Sequence, residues 1–533
     1  MRFSRPHFVG AFFALALSAP LHAQYDDTSN ALREPSAAST LDQELADSVA
    51  AHLGFLASDE LGGRETGTLE GDITARYVEA QFRRLGLQPA GDKGGYLQSY
   101  PLLRARLLTE ECRLALIDSD TTEFNLRDDF AVSGTSDVGV DADFALAWAG
   151  WGLVDEALGV DSYADLDVTG RLVLMYSGAP SDRSDLLAGS RSTQKAELAR
   201  ERGAAGVVFV MPEGNPYSGR MMDYFARRMG RSSLGLDRSE AGTDVAAAPR
   251  VYVSESVART VFASAHVDWD ELHAEAAGSV GEGGGFLLDG PRLHLTAKEE
   301  VERFEAANVI GLLPGRNPEL AHEVLVLSAH MDHEGRSDDG EVFNGADDNA
   351  SGTTAVMVAA ERLARDPTGL DRSVMFLCVS GEEKGLLGSE YFVGHSTVPL
   401  ENIVGNINID MVGRNGPASI GATPSPEHPA HNTLAARSVE VGERVGLQVE
   451  WEAGEGKYRK RVDTYYSRSD HMHFSQAGIP VVFFFSGEHD DYHRVSDTLE
   501  KINQGKVRKV VQMVELLTRD VAADPAKPAE VDA

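Results

Sequence analysis

Five short stretches of the 533-residue sequence carry residue types that bind metal ions or move protons: His330-Met331-Asp332, Gly345-Ala346-Asp347-Asp348-Asn349-Ala350-Ser351-Gly352, Gly381-Glu382-Glu383, Asp410 and Tyr492-His493. Taken singly, each has a bland explanation. A His-x-Asp pair is commonly structural, a Glu-Glu pair commonly a solvated face, and Asp with Ser at a helix start commonly a cap. The three side chains Asp347, Asp348 and Asn349 in succession exceed what capping needs, and a carboxylate at Asp410, directly after an apolar run, is costly to bury unpaired. Carboxylates with neutral imidazoles suit divalent zinc, cobalt or manganese. One carboxylate can bridge two such ions about 3.5–4 Å apart, leaving room for a shared water.

The elements that must position these groups are apolar runs. Residues 324–327, 374–379 and 480–485 are continuously apolar, and 403–409 is largely β-branched with Asn406 and Asn408 interleaved. Helix-like segments at 353–364 and 433–445 lie between them. Buried strands alternating with helices predict an α/β fold, a three-layer αβα domain with a mostly parallel central sheet. Ligands bind beyond the carboxyl ends of strands in such sheets. The first run leads to His330 and Asp332, the second to Glu382 and Glu383, the third to Asp410, and the fourth to Tyr492 and His493, so all are expected on one rim.

Residues 136–285 have a different texture. They contain the strand-like Asp165-Leu166-Asp167-Val168-Thr169-Gly170-Arg171-Leu172-Val173-Leu174, then Lys195, Ala199, Gly203, Ala204 and Gly206 leading into an apolar strand. This pattern resembles a protease-associated domain, and the glycine-rich run Gly281 to Gly285 would mark its exit as a linker. The expected division is a leader over 1–23, a discontinuous catalytic domain over 24–135 and 286–519, the inserted domain over 136–285, and a disordered tail over 520–533. The leader carries Arg2 and Arg5, an apolar run over 8–17 and a small-residue cleavage site ending at Ala23. It reads as a signal peptide and predicts an exported protein, periplasmic or secreted. No stretch offers the 18 uninterrupted apolar residues of a membrane span. Only Cys112 and Cys378 are present, so burial rather than disulfides must brace the fold; one bridge between them is possible, but a buried free thiol is favoured at Cys378. With 49 Lys+Arg against 83 Asp+Glu the net charge is −34, and no basic stripe exists to neutralise phosphates, which excludes nucleic acid as a partner.

The five stretches in combination, with Leu56-Ala57-Ser58-Asp59-Glu60-Leu61 and Gly62-Gly63-Arg64 near the start, resemble the two-zinc aminopeptidase family, whose relatives include the glutamate carboxypeptidases and the transferrin receptor. The resemblance implies that His330, Asp347 and Asp410 hold one zinc and Asp347, Glu383 and His493 the other, with Asp347 as bridge and cobalt or manganese as substitutes. It places Asp332 behind His330 as its orienting partner, and a cis bond between Asp347 and Asp348. It makes Glu382 the general base toward a water shared by the cations, and Tyr492 a donor to the developing oxyanion. His333 is expected to face away, and His489, His471 and His473 are not expected as ligands. The function implied is removal of N-terminal residues from peptide substrates. A carboxypeptidase of the same fold, a glutaminyl cyclase and a non-catalytic receptor remain the alternatives.

Overall fold

The apolar runs become strands because both of their faces are covered. Every residue of Val324–His330, Ser373–Val379, Ile403–Asp410 and Val481–Phe485 is buried. That explains why the sequence shows continuous apolar runs instead of alternation. The computed structural model describes residues 37–133, 139–155, 159–180, 191–211, 218–238, 249–278, 285–337, 339–366 and 368–531. The leader expected over 1–23 and all but Gly285 of the glycine run lie outside these residues.

Among the described residues, ten strands form one sheet. Nine of them are numbered here in chain order: β1 (Leu97–Leu107), β2 (Ser232–Leu236), β3 (Glu299–Leu313), β4 (Val324–His330), β5 (Ser373–Val379), β6 (Ile403–Asp410), β7 (Ser419–Thr423), β8 (Gln448–Glu450) and β9 (Val481–Phe485). They lie in the order β2-β1-β3-β5-β4-β6-β9-β7-β8, with the short strand Gln88–Pro89 paired to β3. The centre β5-β4-β6-β9 is parallel. On the flanks β2, β1 and β3 run antiparallel up to β5, and β7 runs antiparallel to β9 but parallel to β8. The sheet is therefore mixed, parallel through the four central runs and again between β7 and β8. Those four are fully buried; β1 and β3 mix buried with exposed positions and carry no uninterrupted apolar signature.

Alternate residues of β4 feed two cores. Leu325, Leu327 and Ala329 pack with Val356 and Val358 of the helix Gly352–Ala364 and with Val510, Val514 and Leu517 of the helix Gln504–Ala523. Val324 and Val326 pack on the other face with Phe392 and Phe474, from the helices Leu387–Gly394 and His471–Gln476. Each buried side chain of this kind contributes about 1.5–3 kcal/mol, and the two covered faces make the three layers. The chain divides after Glu44 into two units. Of the first, only the opening turns of the helix Ala37–Leu56 are described, with Leu41 exposed.

A second sheet of eight strands has its own core, including Trp148, Leu174, Phe209 and Phe262. It starts at Arg113–Ile117 and ends at Phe286–Ala297, which pair antiparallel. Its limits thus lie outside the expected 136–285, because strands on both sides of that interval close it. One strand from inside the interval, β2, leaves to pair with β1 of the large sheet. Cys112 and Cys378 are both free and buried.

The tail expected to be disordered from 520 is instead held as far as residue 531. Residues 520–523 finish the helix Gln504–Ala523, and the buried Arg372 guanidinium donates to the carbonyls of Val521 (2.8 Å), Asp524 and Pro525 (3.1 Å) while pairing with Glu323 at 2.6 Å. Further on, Thr433 N–H donates to Ala529 O and Val531 N–H to His431 O. Removing one member of a buried ion pair costs about 3–5 kcal/mol. Arg372→Met is therefore expected to lower thermal stability by that order and to strip hydrogen-exchange protection from 524–531; calorimetry and exchange mass spectrometry measure both.

Candidate metal centre

The parallel centre sets the rim. From β4 the chain passes to β5 on one side and then to β6 on the other, so the carboxyl ends of β4 and β6 border a topological switch point, where α/β sheets bind ligands. His330 ends β4, Glu382 and Glu383 follow β5, Asp410 ends β6, and Tyr492 and His493 follow β9.

His330 Nε2 lies 3.3 Å from Asp348 Oδ1 and 3.2 Å from Asp410 Oδ1. On the other side, Asp348 Oδ2 is 3.1 Å from His493 Nε2, which is 3.0 Å from Glu383 Oε2. Asp348 thus stands between two imidazoles with one oxygen toward each. Donor atoms of His330, Asp348 and Glu383 fall within 4.8 Å of one another, as do those of His330, Glu382 and Asp410.

Asp347 does not occupy the shared position expected of it. Its Oδ1 accepts from Gly413 N–H (2.6 Å) and Ser351 Oγ (3.2 Å), and its Oδ2 lies 3.1 Å from His489 Nε2. The cis peptide is likewise one residue later, between Asp348 and Asn349. The three successive polar residues divide the work. Asp347 ties the segment to the turn after β6, Asp348 enters the centre, and Asn349 grips β6 through Ile409 O (3.0 Å) and Met411 N–H (3.2 Å). Two glycines permit this packing. A Cβ at Gly345, whose φ is +55°, would lie 2.1 Å from Asp348 O, and one at Gly352 would lie 2.3 Å from Ile409 O.

Two further residues hold the loops. Asp497 Oδ2 accepts the N–H groups of both Asp347 (2.9 Å) and Asp348 (3.1 Å). Arg64, 1% exposed, donates to Met331 O (2.9 Å), Asn344 O (2.5 Å), Gly345 O (3.0 Å) and Leu56 O, joining the loop after His330 to the one before Asp348. Burial lowers its pKa to about 10, opposed by the charges of Asp332, Asp348, Asp497 and Glu383. Asp332 also differs from expectation. Its backbone carbonyl, not its carboxylate, is nearest to His330 Nδ1, at 3.2 Å against 3.8 Å, and its Oδ1 accepts the N–H of Glu382 at 3.3 Å.

His333 does not face away. It is fully buried, and its Nδ1–H donates to Glu383 Oε1 at 2.6 Å, which leaves Oε2 toward His493. His489 contacts Asp347 rather than the centre. His473 Nδ1 lies 3.1 Å from Ser389 Oγ, and His471 is buried against the Phe483 ring. Arg414 pairs with Asp491 at 2.8 Å. Sequence reasoning missed Asp348, His333, Asp497 and the specific work of Arg64. The density of His330-x-Asp332-His333 was the one available signal for His333, since β4 ends at His330 and strand alternation no longer applies.

The electrostatics follow from sealing so many acids together. Burial disfavours the His330 cation, yet the charges of Asp410 and Glu382 and the contacts with Asp348 and Asp410 hold its pKa well above the ordinary value. Burial would raise Asp348, but His330, His493 and His333 hold it well below the usual carboxylate range. Glu382 is pushed well above that range by burial first and then by Glu383, Asp410 and Asp470, against the pull of His330. Beside the centre is a recess walled by Met411, Tyr465, Phe483 and Phe485, with Tyr492 and an Arg468–Glu488 pair (2.8 Å) also lining it. The Tyr492 ring lies tilted against the His493 ring with centroids 3.9 Å apart, and burial and the charges of Asp348 and Glu383 raise the pKa of its hydroxyl and keep it protonated.

Lysine has three donors and no planar fork, so it cannot serve the four carbonyls around Arg64. Each carbonyl left unsatisfied costs about 1–3 kcal/mol. Arg64→Lys is expected to lose most of the stability that Arg64→Ala loses, by thermal melting.

Aminopeptidase YwaD of Bacillus subtilis is 26% identical over 232 residues, covering 42% of this chain and 46% of that protein. Leupeptin-inactivating enzyme 1 of Streptomyces exfoliatus is 31% identical over 199 residues, covering 36% and 38%. The chain thus spans less than half the length of these curated relatives. The solved structure of an aminopeptidase from Aneurinibacillus sp. strain AM-1 shares the fold, with a TM-score of 0.51 at 20% identity over 90% of this chain and 95% of that one. Residues 308–518, which carry His330, Asp348, Glu382, Glu383, Asp410 and His493, match the model of Peptidase family M28.

Proposed function

We propose that the chain is an exported zinc aminopeptidase that removes apolar N-terminal residues from peptides. The observation that carries this reading is the pair of imidazoles, His330 and His493, with one carboxylate, Asp348, between them and a further carboxylate, Asp410 or Glu383, on each side. The donor set fits two divalent cations. His493 Nε2 is held near two carboxylate oxygens without a hydrogen bond to either, and N/O donors of this kind suit zinc, with cobalt or manganese as substitutes. His330, Asp348 and Asp410 would hold one cation and Asp348, Glu383 and His493 the other; when bound, such ions polarise a carbonyl and make water acidic.

The chain's own residues supply the remaining steps. Glu382 lies with His330 and Asp410 at the centre, and its raised pKa suits a carboxyl that takes a proton from the attacking water and returns it to the departing amine. The Tyr492 hydroxyl, kept protonated, would donate to the oxyanion. The apolar wall of the recess would receive the first side chain. Arg468, which a C-terminal carboxylate would need, is already engaged by Glu488, and this favours an aminopeptidase over a carboxypeptidase. The complete donor set speaks against a receptor that has lost its ligands. The charged leader with its apolar run supports export, and a mature chain beginning at Gln24 is expected from N-terminal sequencing. Among the described residues no helix is long and apolar enough to cross a membrane.

The purified protein is expected to cleave leucyl anilides and to ignore N-blocked peptides, with loss of activity on chelation. Cleavage of blocked peptides at a free C-terminus would reverse the assignment. Glu382→Gln should keep its metal and lose turnover. Tyr492→Phe should lower kcat by roughly 100–1,000-fold with KM little changed. In metal analysis Asp348→Ala should lose bound zinc, and Asp347→Ala should lose less.

A further inference from the structure

Strand β6 places Asn406, Asn408 and Asp410 at alternate positions, and parallel pairing sets Val326 beside Asn406 and Ser328 beside Asn408. Asn406, Asn408 and Ser328 are all fully buried, as is Ser469. An apolar side chain would be the default at such positions, because a buried amide has to find partners. Ile407 and Ile409, on the opposite face, obey that default.

The polar side chains connect in one sequence. Ser469 Oγ lies 2.9 Å from Asp410 Oδ2, Asn408 Nδ2 2.9 Å from Ser469 Oγ, Ser328 Oγ 2.7 Å from Asn408 Oδ1, and Asn406 Nδ2 2.8 Å from Ser328 Oγ. The carboxylate fixes the direction of every proton. An ionised Asp410 only accepts, so Ser469 must donate to it. Ser469 then accepts from the Asn408 amide, which turns the Asn408 carbonyl toward Ser328 as acceptor, and Ser328 in turn accepts from Asn406. Asn406 Oδ1, at the far end, has no partner. A buried acceptor left over at the end of a chain of four donors is a cost in stability. Its return is at Asp410, where aligned hydrogen bonds polarise one another.

We propose that Asn406, Ser328, Asn408 and Ser469 are positioning residues that hold Asp410 Oδ2, so that only Oδ1, 3.2 Å from His330 Nε2, is presented to a cation. This rests on the two-cation reading above. It assigns to the interior of the sheet the task of setting the affinity of the His330–Asp410 position, separately from the His493–Glu383 position, which the array does not reach.

The test is titration of the metal-free protein with Co2+, read by its absorption bands, and with Zn2+ by calorimetry. In Ser469→Ala the affinity at one of two positions should fall about 10–100-fold while the other holds. Ser469→Thr, which keeps the hydroxyl, should restore it. Asn408→Leu, remote from the cation, should weaken the same position without lowering the melting temperature. Unchanged affinities in Ser469→Ala and Asn408→Leu, or losses at both positions that track a falling melting temperature, would overturn the array. A wild-type protein that takes up neither Co2+ nor Zn2+ would instead overturn the metal reading itself.

Discussion

The structure is organised around negative charge largely withdrawn from water. Asp348, Asp410 and Asp332 are buried beside Glu382 and Glu383 at the edge of one sheet, with three imidazoles among them. Isolated ionised carboxylates do not survive in such surroundings; they are paired, bound to cations or neutralised. Here His330 and His493 are driven toward their charged forms, and Glu382, Asp332 and Asp410 are pushed by burial toward their neutral forms. A pocket with that demand for positive charge suits divalent cations. The demand also explains why the loops around it are fastened so heavily.

That fastening is mostly backbone recognition. Arg64 reads four carbonyls, Asp497 reads two consecutive N–H groups, and Asn349 reads one of each from β6 and the residue after it. None of these contacts depends on the side-chain chemistry of the centre. They fix where the chain turns, and Asp348 is aimed as a result. The array behind Asp410 works differently, since it is side chain to side chain and starts from the carboxylate itself. The centre is therefore held by two independent systems, one for the loops and one for a strand end.

How much of this was legible in the sequence depended on whether a residue's role follows from its place along the chain. The four central strands were legible because burial on both faces leaves a continuous apolar run, and the rim followed because parallel strands end on one edge. The choice between Asp347 and Asp348 was not legible. Both are acids in one tight segment, and which carboxylate turns inward is decided by Asp497 and Gly413, far away in sequence. His333 was misjudged because alternation was carried past the end of β4. The ordered tail gave no signal at all, for its anchor is Arg372, and a polar Ala/Pro segment looks the same whether or not a guanidinium waits for its carbonyls. The antiparallel flanks escaped for the converse reason: half-exposed strands such as β1 lack an uninterrupted apolar run. The interleaved Asn406 and Asn408 were visible from the start, but their meaning needed the register between β4 and β6.

Strand β2 has a consequence of another kind. It comes from the middle of the segment that builds the second sheet, yet it lies at the edge of the large one, against β1, which itself pairs with β3 on its other side. A bare strand edge is a template for unwanted pairing with other chains, and β2 covers β1 along much of its length. Strand β1 must therefore wait, during synthesis, for two partners that emerge much later; six strands of the second sheet lie between β1 and β2 and the other two between β2 and β3. Assembly of the two sheets is interlaced in time, so the intervening segment is not a cassette that evolution could lift out and replace at a single joint.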